Sequence, residues 1–143
     1  MRKSKINISG FKIGTAENRE GLTGVTVILA PDGGATAGVD VRGCAPGTRE
    51  TDLLDPRKTV QKIHAVVLSG GSAFGLEAAS GCVKYLAEQG VGFPIGNVCV
   101  PIVCSAVLFD LMIGDEKAYP DLLMGYEAAK SASSEFLSGC NGA

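Results

Sequence analysis

A single α/β domain is the fold the sequence predicts, and three observations point to it. Residues 23–30, TGVTVILA, are β-branched and almost unbroken in apolarity, as a buried strand is. Residues 62–69, KIHAVVLS, run apolar into a pair of glycines. Beyond that pair Leu76, Ala79, Val83 and Leu86 recur at three- and four-residue steps, the spacing of one helix face. Hydrophobic residues make up 45% of the 143-residue chain and charged ones 20%, which is apolar matter enough for one core, and the domain is taken as 1–143.

Along the chain, the strand at 23–30 is followed by the turn PDGG and by ATAGVDV, so these segments are expected to form a hairpin. Residues 42–58, dense in glycine, proline and charge, are a long loop, and a loop of that length is more often functional or an interface than idle. The strand at 62–69 reads as central, because Ala65 to Leu68 is apolar on both faces. A helix is predicted over 73–89, stopped by Gly90. VGFPIG is a short strand whose Pro94 places it at an edge. SAVLFDLMIGD, residues 105–115, reads as a short apolar helix ending near Gly114. Pro120, at a first helical position and followed by Asp121, opens a last helix running to about Ser134. The final FLSGCNGA is a glycine-rich turn without a closing strand, and the chain is expected to be a fragment.

The net charge of -2 comes with scattered lysines and arginines and no basic block, which argues against nucleic acid and anionic membrane as partners. The start, MRKSKINISGFKIG, lacks the apolar core of a signal peptide, and no window approaches the roughly 18 apolar residues of a membrane span; a cytoplasmic protein is expected. Five cysteines, an odd number without a CxxC pair, and a single histidine beside none of them read as free thiols rather than a metal site. The 20 glycines fall in pairs and at element ends, where they mark turns and close backbone approaches.

The stretch LSGGSAFGL, residues 68–76, concentrates the candidate chemistry. A nucleophile elbow requires Gly-x-Ser-x-Gly, and Phe74 stands where the second glycine belongs; a Walker loop and a dinucleotide fingerprint fail equally on pattern. What remains is a strand end, a turn at Gly70 and Gly71, and Ser72 at the start of a helix. Ser72 either caps the helix or, with the free amides of Gly70 and Gly71, meets a carboxylate, carbonyl or oxyanion of a ligand. Glu50, Asp52 and Asp55 with Arg49 and Arg57 form either an ion network or a substrate grip. His64 reads as a satisfied polar residue. Cys104 sits where a helix would begin, which would lower a thiol pKa, against the alternative of a buried inert thiol.

Taken together, TGVTVILAPDGGATAGVDVRGCAPGTRETDLLDP, HAVVLSGGSAFGLEAASGCVKYL, GFPIG, VPIVCSAVLFDL and NGA resemble the N-terminal, α part of the DmpA-like self-processing hydrolases. That family includes the L-aminopeptidase/D-esterase, β-peptidyl aminopeptidases, pantetheine hydrolase and nylon-oligomer hydrolase. The resemblance implies an αββα sandwich of the DmpA/ornithine-acetyltransferase type, here incomplete, and no cofactor or metal. It implies a precursor that cuts itself once, freeing an N-terminal Ser or Thr on a β chain as nucleophile, and a homo-oligomer acting on a small amide or peptide. That nucleophile would lie beyond Ala143. The family segment GNVGAGTG supplies an oxyanion asparagine; GCNGA matches it, with Cys140 in the asparagine column and Asn141, the candidate donor, one place later. Where the aminopeptidases carry Glu-x-Tyr, this chain has Ile102, Val103 and Cys104, which favours an amidase for an uncharged or acyl-type substrate. Two other readings of the chain are a stand-alone module gripping a small anion at Gly70 to Ser72 and a truncated, non-catalytic homologue.

Overall fold

The computed structural model of the chain describes residues 2–143. Its centre is a five-stranded mixed sheet, ordered β2 (Lys12–Asn18), β3 (Thr23–Leu29), β5 (Ala65–Ser69), β8 (Val103–Val107), β4 (Thr48–Arg49). β5 and β8 are parallel and the remaining neighbours antiparallel. The parallel pair needs a crossover, which α1 (Ala78–Glu88) begins and the hairpin β6 (Phe93–Ile95) and β7 (Val98–Val100) completes. α2 (Leu122–Lys130) follows, and β9 (Glu135–Ser138) returns to pair with β1 (Arg2–Lys5).

Strand pleating puts alternate residues on opposite faces, and the two faces differ in how they are covered. Val25, Val27 and Leu29 of β3, Ala65 and Val67 of β5 and Val103 of β8 pack against Ala78, Ala79, Cys82 and Leu86 of α1 and Ala128 and Ala129 of α2. On the other face Thr26, Ile28, Val66 and Ala106 are only half-buried, and Leu68 is 38% exposed. The core is therefore one-sided. The two helices cross at glycines: a Cβ on Gly81 would meet the Leu122 carbonyl oxygen, and one on Gly125 the Ala78 carbonyl oxygen. Asp121, extended at φ -111°, caps α2 by accepting a hydrogen bond from the Met124 N–H at 2.8 Å.

Several expectations are corrected. The hairpin partner of β3 is the segment before it, β2, not ATAGVDV. Gly33 and Gly34, at φ 82° and 78°, turn the chain away, and of the expected strand only an Ala35–Ile63 bridge forms. β2 was hidden by Gly14, whose missing side chain lets α2 approach: a Cβ there would meet the Ala128 carbonyl oxygen. Residues 105–115 are not a helix. Val103–Val107 is the strand that completes the parallel pair, and the remainder is loop; a short apolar run carries no periodicity to tell the two apart. The helix expected over 73–89 starts as a 3₁₀ turn, Ser72–Glu77, and becomes α-helical only at Ala78. Pro120 precedes the Asp121 cap instead of opening α2, which ends at Lys130. FLSGCNGA contains a strand after all, tied to β1 and braced by a 2.7 Å hydrogen bond between Ser4 Oγ and Ser138 Oγ.

Candidate functional site

The carboxyl ends of the parallel strands β5 and β8 lie side by side, the place where open α/β sheets bind ligands. Beyond Ser69 the chain passes through Gly70, Gly71 at φ 80° and Ser72 at φ 51°. Every amide in this turn has an internal partner. The Gly70 N–H donates to the Gly24 carbonyl oxygen at 2.9 Å, and that of Ser72 to the Leu108 carbonyl oxygen at 3.0 Å. The Gly71 N–H donates to Asp110 Oδ1 at 2.6 Å, while the Thr23 hydroxyl donates to Asp110 Oδ2 at 2.7 Å. The carboxylate that the turn was expected to attract is thus the chain's own, and the amides a stand-alone anion-binding module would offer are taken. Glycine is required at position 70 because a Cβ would run into the Asp110 carboxylate and Thr23 Oγ1.

Ser72 is not a cap. A capping serine holds extended backbone and accepts an amide bond; Ser72 is left-handed, and the turn it begins has no side-chain cap. Pro120 and Tyr119 press on Gly71 instead, and Tyr119 stacks on Phe74 with ring centroids 4.7 Å apart.

Asn141 lies across β2 and β3 on the less covered face, its Nδ2 donating to Thr15 Oγ1 at 2.5 Å. The next two amides reach the same strands, Gly142 N–H to Glu17 Oε2 at 3.4 Å and Ala143 N–H to Thr26 Oγ1 at 3.1 Å. Beside them runs a groove of about 450 Å³ lined by Glu17, Arg19, Leu22, Thr23, Asn141 and Gly142, in which Arg19 Nε and Glu17 Oε1 pair at 2.6 Å. Gly24 joins this segment to the glycine turn: its carbonyl takes the Gly70 N–H, and a Cβ on it would strike the Gly142 carbonyl oxygen.

Cys104 stands apart, paired with Val66 in mid-strand. It is buried, its Sγ donates to the Glu50 carbonyl oxygen at 3.4 Å, and burial together with the Glu50 charge pushes the thiol pKa up. The lowering expected of a helix start is absent because the residue is in a strand. All five cysteines are free; Cys82, in the core, is pushed up to about 12 by burial. The charged loop forms no joint cluster. Arg57 pairs with Asp55, whose carboxyl its hydrogen bonds hold at about 2, while Arg49 Nη1 donates to Ser80 Oγ at 2.7 Å. Among the described residues no group of His, Cys, Asp and Glu side chains gathers in metal-binding geometry, and no helix is long and apolar enough to cross a membrane.

His64 is buried, and its Nδ1 accepts the Ile102 N–H at 3.1 Å. Burial lowers its pKa below the ordinary 6.5. The unfolded chain therefore binds the proton first, so stability is complete above pH 6.5 and is lost as pH falls through it towards the folded value. Urea midpoints measured at descending pH are expected to drop in that window, and His64→Gln, which cannot be protonated, to flatten the drop.

Thr15, Thr23, Glu17 and Asp110 were not among the residues singled out from the sequence. Only Asp110 had a signal: a lone carboxylate inside the apolar run VLFDLM must find hydrogen-bond donors wherever that run is packed.

A mixed sheet layered by helices defines the architectural class, and solved structures share that fold. The PH0078 protein from Pyrococcus horikoshii superposes with a TM-score of 0.73 at 21% identity, covering 94% of this chain and 42% of that one. Ornithine acetyltransferase from Mycobacterium tuberculosis gives 0.52 at 16% identity over 93% of this chain and 76% of its own.

The chain belongs to peptidase family S58, whose model matches residues 5–143, and the resemblance carried by GTRETDLLDP and LSGGSAFGL is borne out. An uncharacterized aminopeptidase of Mycobacterium leprae is 50% identical over 109 residues, 76% of this chain and 30% of that protein. A 6-aminohexanoate-oligomer endohydrolase of an Agromyces strain is 36% identical over 140 residues, 97% of this chain and 37% of its own length. The chain thus spans about a third of the curated relatives it matches.

Proposed function

We propose that this chain is the N-terminal, α portion of a self-cleaving amide or peptide hydrolase, and that the nucleophile is the Ser or Thr freed at the start of a following β chain. The observation that carries the reading is the less covered sheet face, apolar at Ile28, Val66 and Leu68, with GCNGA laid across it. In an αββα sandwich a second sheet packs there, about 10 Å away, and brings its own strand ends to the Asn141 groove. Family membership and the third-length match to hydrolase relatives support the same reading.

In this mechanism the freed α-amine takes the proton of its own Ser or Thr hydroxyl, and the oxygen attacks the amide carbonyl. The resulting oxyanion accepts the second Asn141 Nδ2–H, displacing its long, 3.4 Å bond to the Leu137 carbonyl oxygen while the bond to Thr15 Oγ1 is kept. Collapse expels the amine with the proton and leaves an acyl-enzyme that water hydrolyses. Ile102, Val103 and Cys104 offer no carboxylate or phenol for a substrate amine, which supports an uncharged or acyl-type amide as substrate. The exposed Ile95 and Val98 of the β6–β7 hairpin are apolar surface for a homo-oligomer.

Intact-mass analysis of the expressed full-length product tests this. Two chains are expected, the second beginning with Ser or Thr; one uncut chain would overturn the reading.

A further inference from the structure

We infer that Asp110 is a positioning residue, a latch that holds the GCNGA segment in place through Thr23, Gly71 and Gly24. The inference rests on the proposed hydrolase reading for its effect on rate, though not for its geometry.

Three segments far apart in sequence meet at one carboxylate. Oδ2 accepts the Thr23 hydroxyl at the start of β3, and Oδ1 accepts the Gly71 N–H after β5. The loop bearing Asp110 is itself anchored, by the Leu108 N–H on the Ser69 carbonyl oxygen at 3.0 Å and the Ile113 N–H on the Asp110 carbonyl oxygen at 2.8 Å. Thr23 is 7% exposed, so its hydrogen bond to Asp110 is made largely out of water, where a hydrogen bond to a charged group is worth more than a neutral one.

Thr23 is followed by Gly24, and there the latch reaches the candidate site. The Gly24 carbonyl takes the Gly70 N–H, and Gly24 has no side chain because the Gly142 carbonyl lies against it. The position of Gly142, and with it Asn141, is thereby set by where the start of β3 is held. Releasing Asp110 frees the start of β3 and the turn at Gly71 together, and the donor amide loses its backing without losing its own contacts. Misplacement of a donor by a fraction of an ångström lowers the chemical step more than binding, because the oxyanion exists only in the transition state.

The test uses the full-length protein with Thr23→Val, which is isosteric, Asp110→Asn, and Thr23→Ser, which keeps the hydroxyl. Thr23→Val and Asp110→Asn are expected to lower kcat about tenfold at unchanged KM, Thr23→Ser to stay within about twofold of wild type, and the double variant to be no worse than either single, since one unit is broken once. Amide hydrogen exchange across 141–143 is expected to quicken in Thr23→Val and not in Thr23→Ser. Unchanged exchange there overturns the latch, whether or not the wild type hydrolyses amides, and so does an unchanged kcat in folded, self-cleaved Thr23→Val. A wild type that neither cuts itself nor hydrolyses amides, with the exchange result as expected, instead defeats the functional reading and leaves the latch standing. If Asp110→Asn does not fold, Thr23→Val alone decides.

Discussion

Asn141→Ala in the full-length protein is expected to lower kcat for amide hydrolysis by about 10²- to 10³-fold, the usual loss of one oxyanion donor, while Cys140→Ala changes it by less than about threefold. The asymmetry follows from where the two side chains sit. Asn141 Nδ2 is steadied at 2.5 Å by Thr15 Oγ1 on the sheet face where the second layer is proposed to pack. Cys140 is exposed at the rim of the same groove. A thiol is a weak donor, whereas an amide N–H aimed at developing charge in a water-poor site is a strong one. The reverse result, with Cys140 carrying the effect, would return the donor role to the family's alignment column and remove Asn141 from the site. Steady-state kinetics on the full-length protein, cut as the proposed function requires, reads either outcome.

The second large effect is expected at the helix crossing. Gly125→Ala should destabilise the protein by about 3 kcal/mol in urea unfolding, near the top of the range for overpacking. Helix propensity alone predicts the opposite, a gain of about 1 kcal/mol for alanine over glycine in a helix interior. Packing wins here because the added Cβ would meet the Ala78 carbonyl, which is backbone and cannot swing away. Gly81→Ala repeats the argument from the other helix, against the Leu122 carbonyl. Gly38→Ala is the control: no atom lies within 4 Å of its added Cβ, and a change within about 0.5 kcal/mol is expected.

What could be read from the sequence was what local chemistry alone determines. β3 and β5 were legible because Val25, Val27 and Val67 belong to nearly continuous apolar runs rich in β-branched residues, and α1 because Ala79, Val83 and Leu86 keep helical spacing. β2 was not, since Gly14 answers to α2, a partner more than a hundred residues later. The end of β8, Ser105 to Val107, reads as the start of a helix because Ser, Ala and Val serve either state, and the parallel slot beside β5 decides between them. The site divided in the same way. Gly70 and Gly71 announced a tight turn, but that the Gly71 N–H is filled by Asp110 depends on a loop nearly 40 residues away. Ser72 lost its expected cap to the left-handed backbone that this turn imposes.

The one-sided core also bears on the order of folding. Every residue of the helical layer, from Val25 to Ala129, is made before the chain reaches the GCNGA segment, and the β2–β3 hairpin is local. The parallel pairing of β5 with β8 is expected to be the slow step, because the connection between them must close before any ladder bond repays it. A nascent chain at this stage holds its hydrophobic interior against two helices while Val66 and Leu68 still face water. An apolar face left open while the opposite one is already packed is adhesive, and surface of that kind is what chaperones act on.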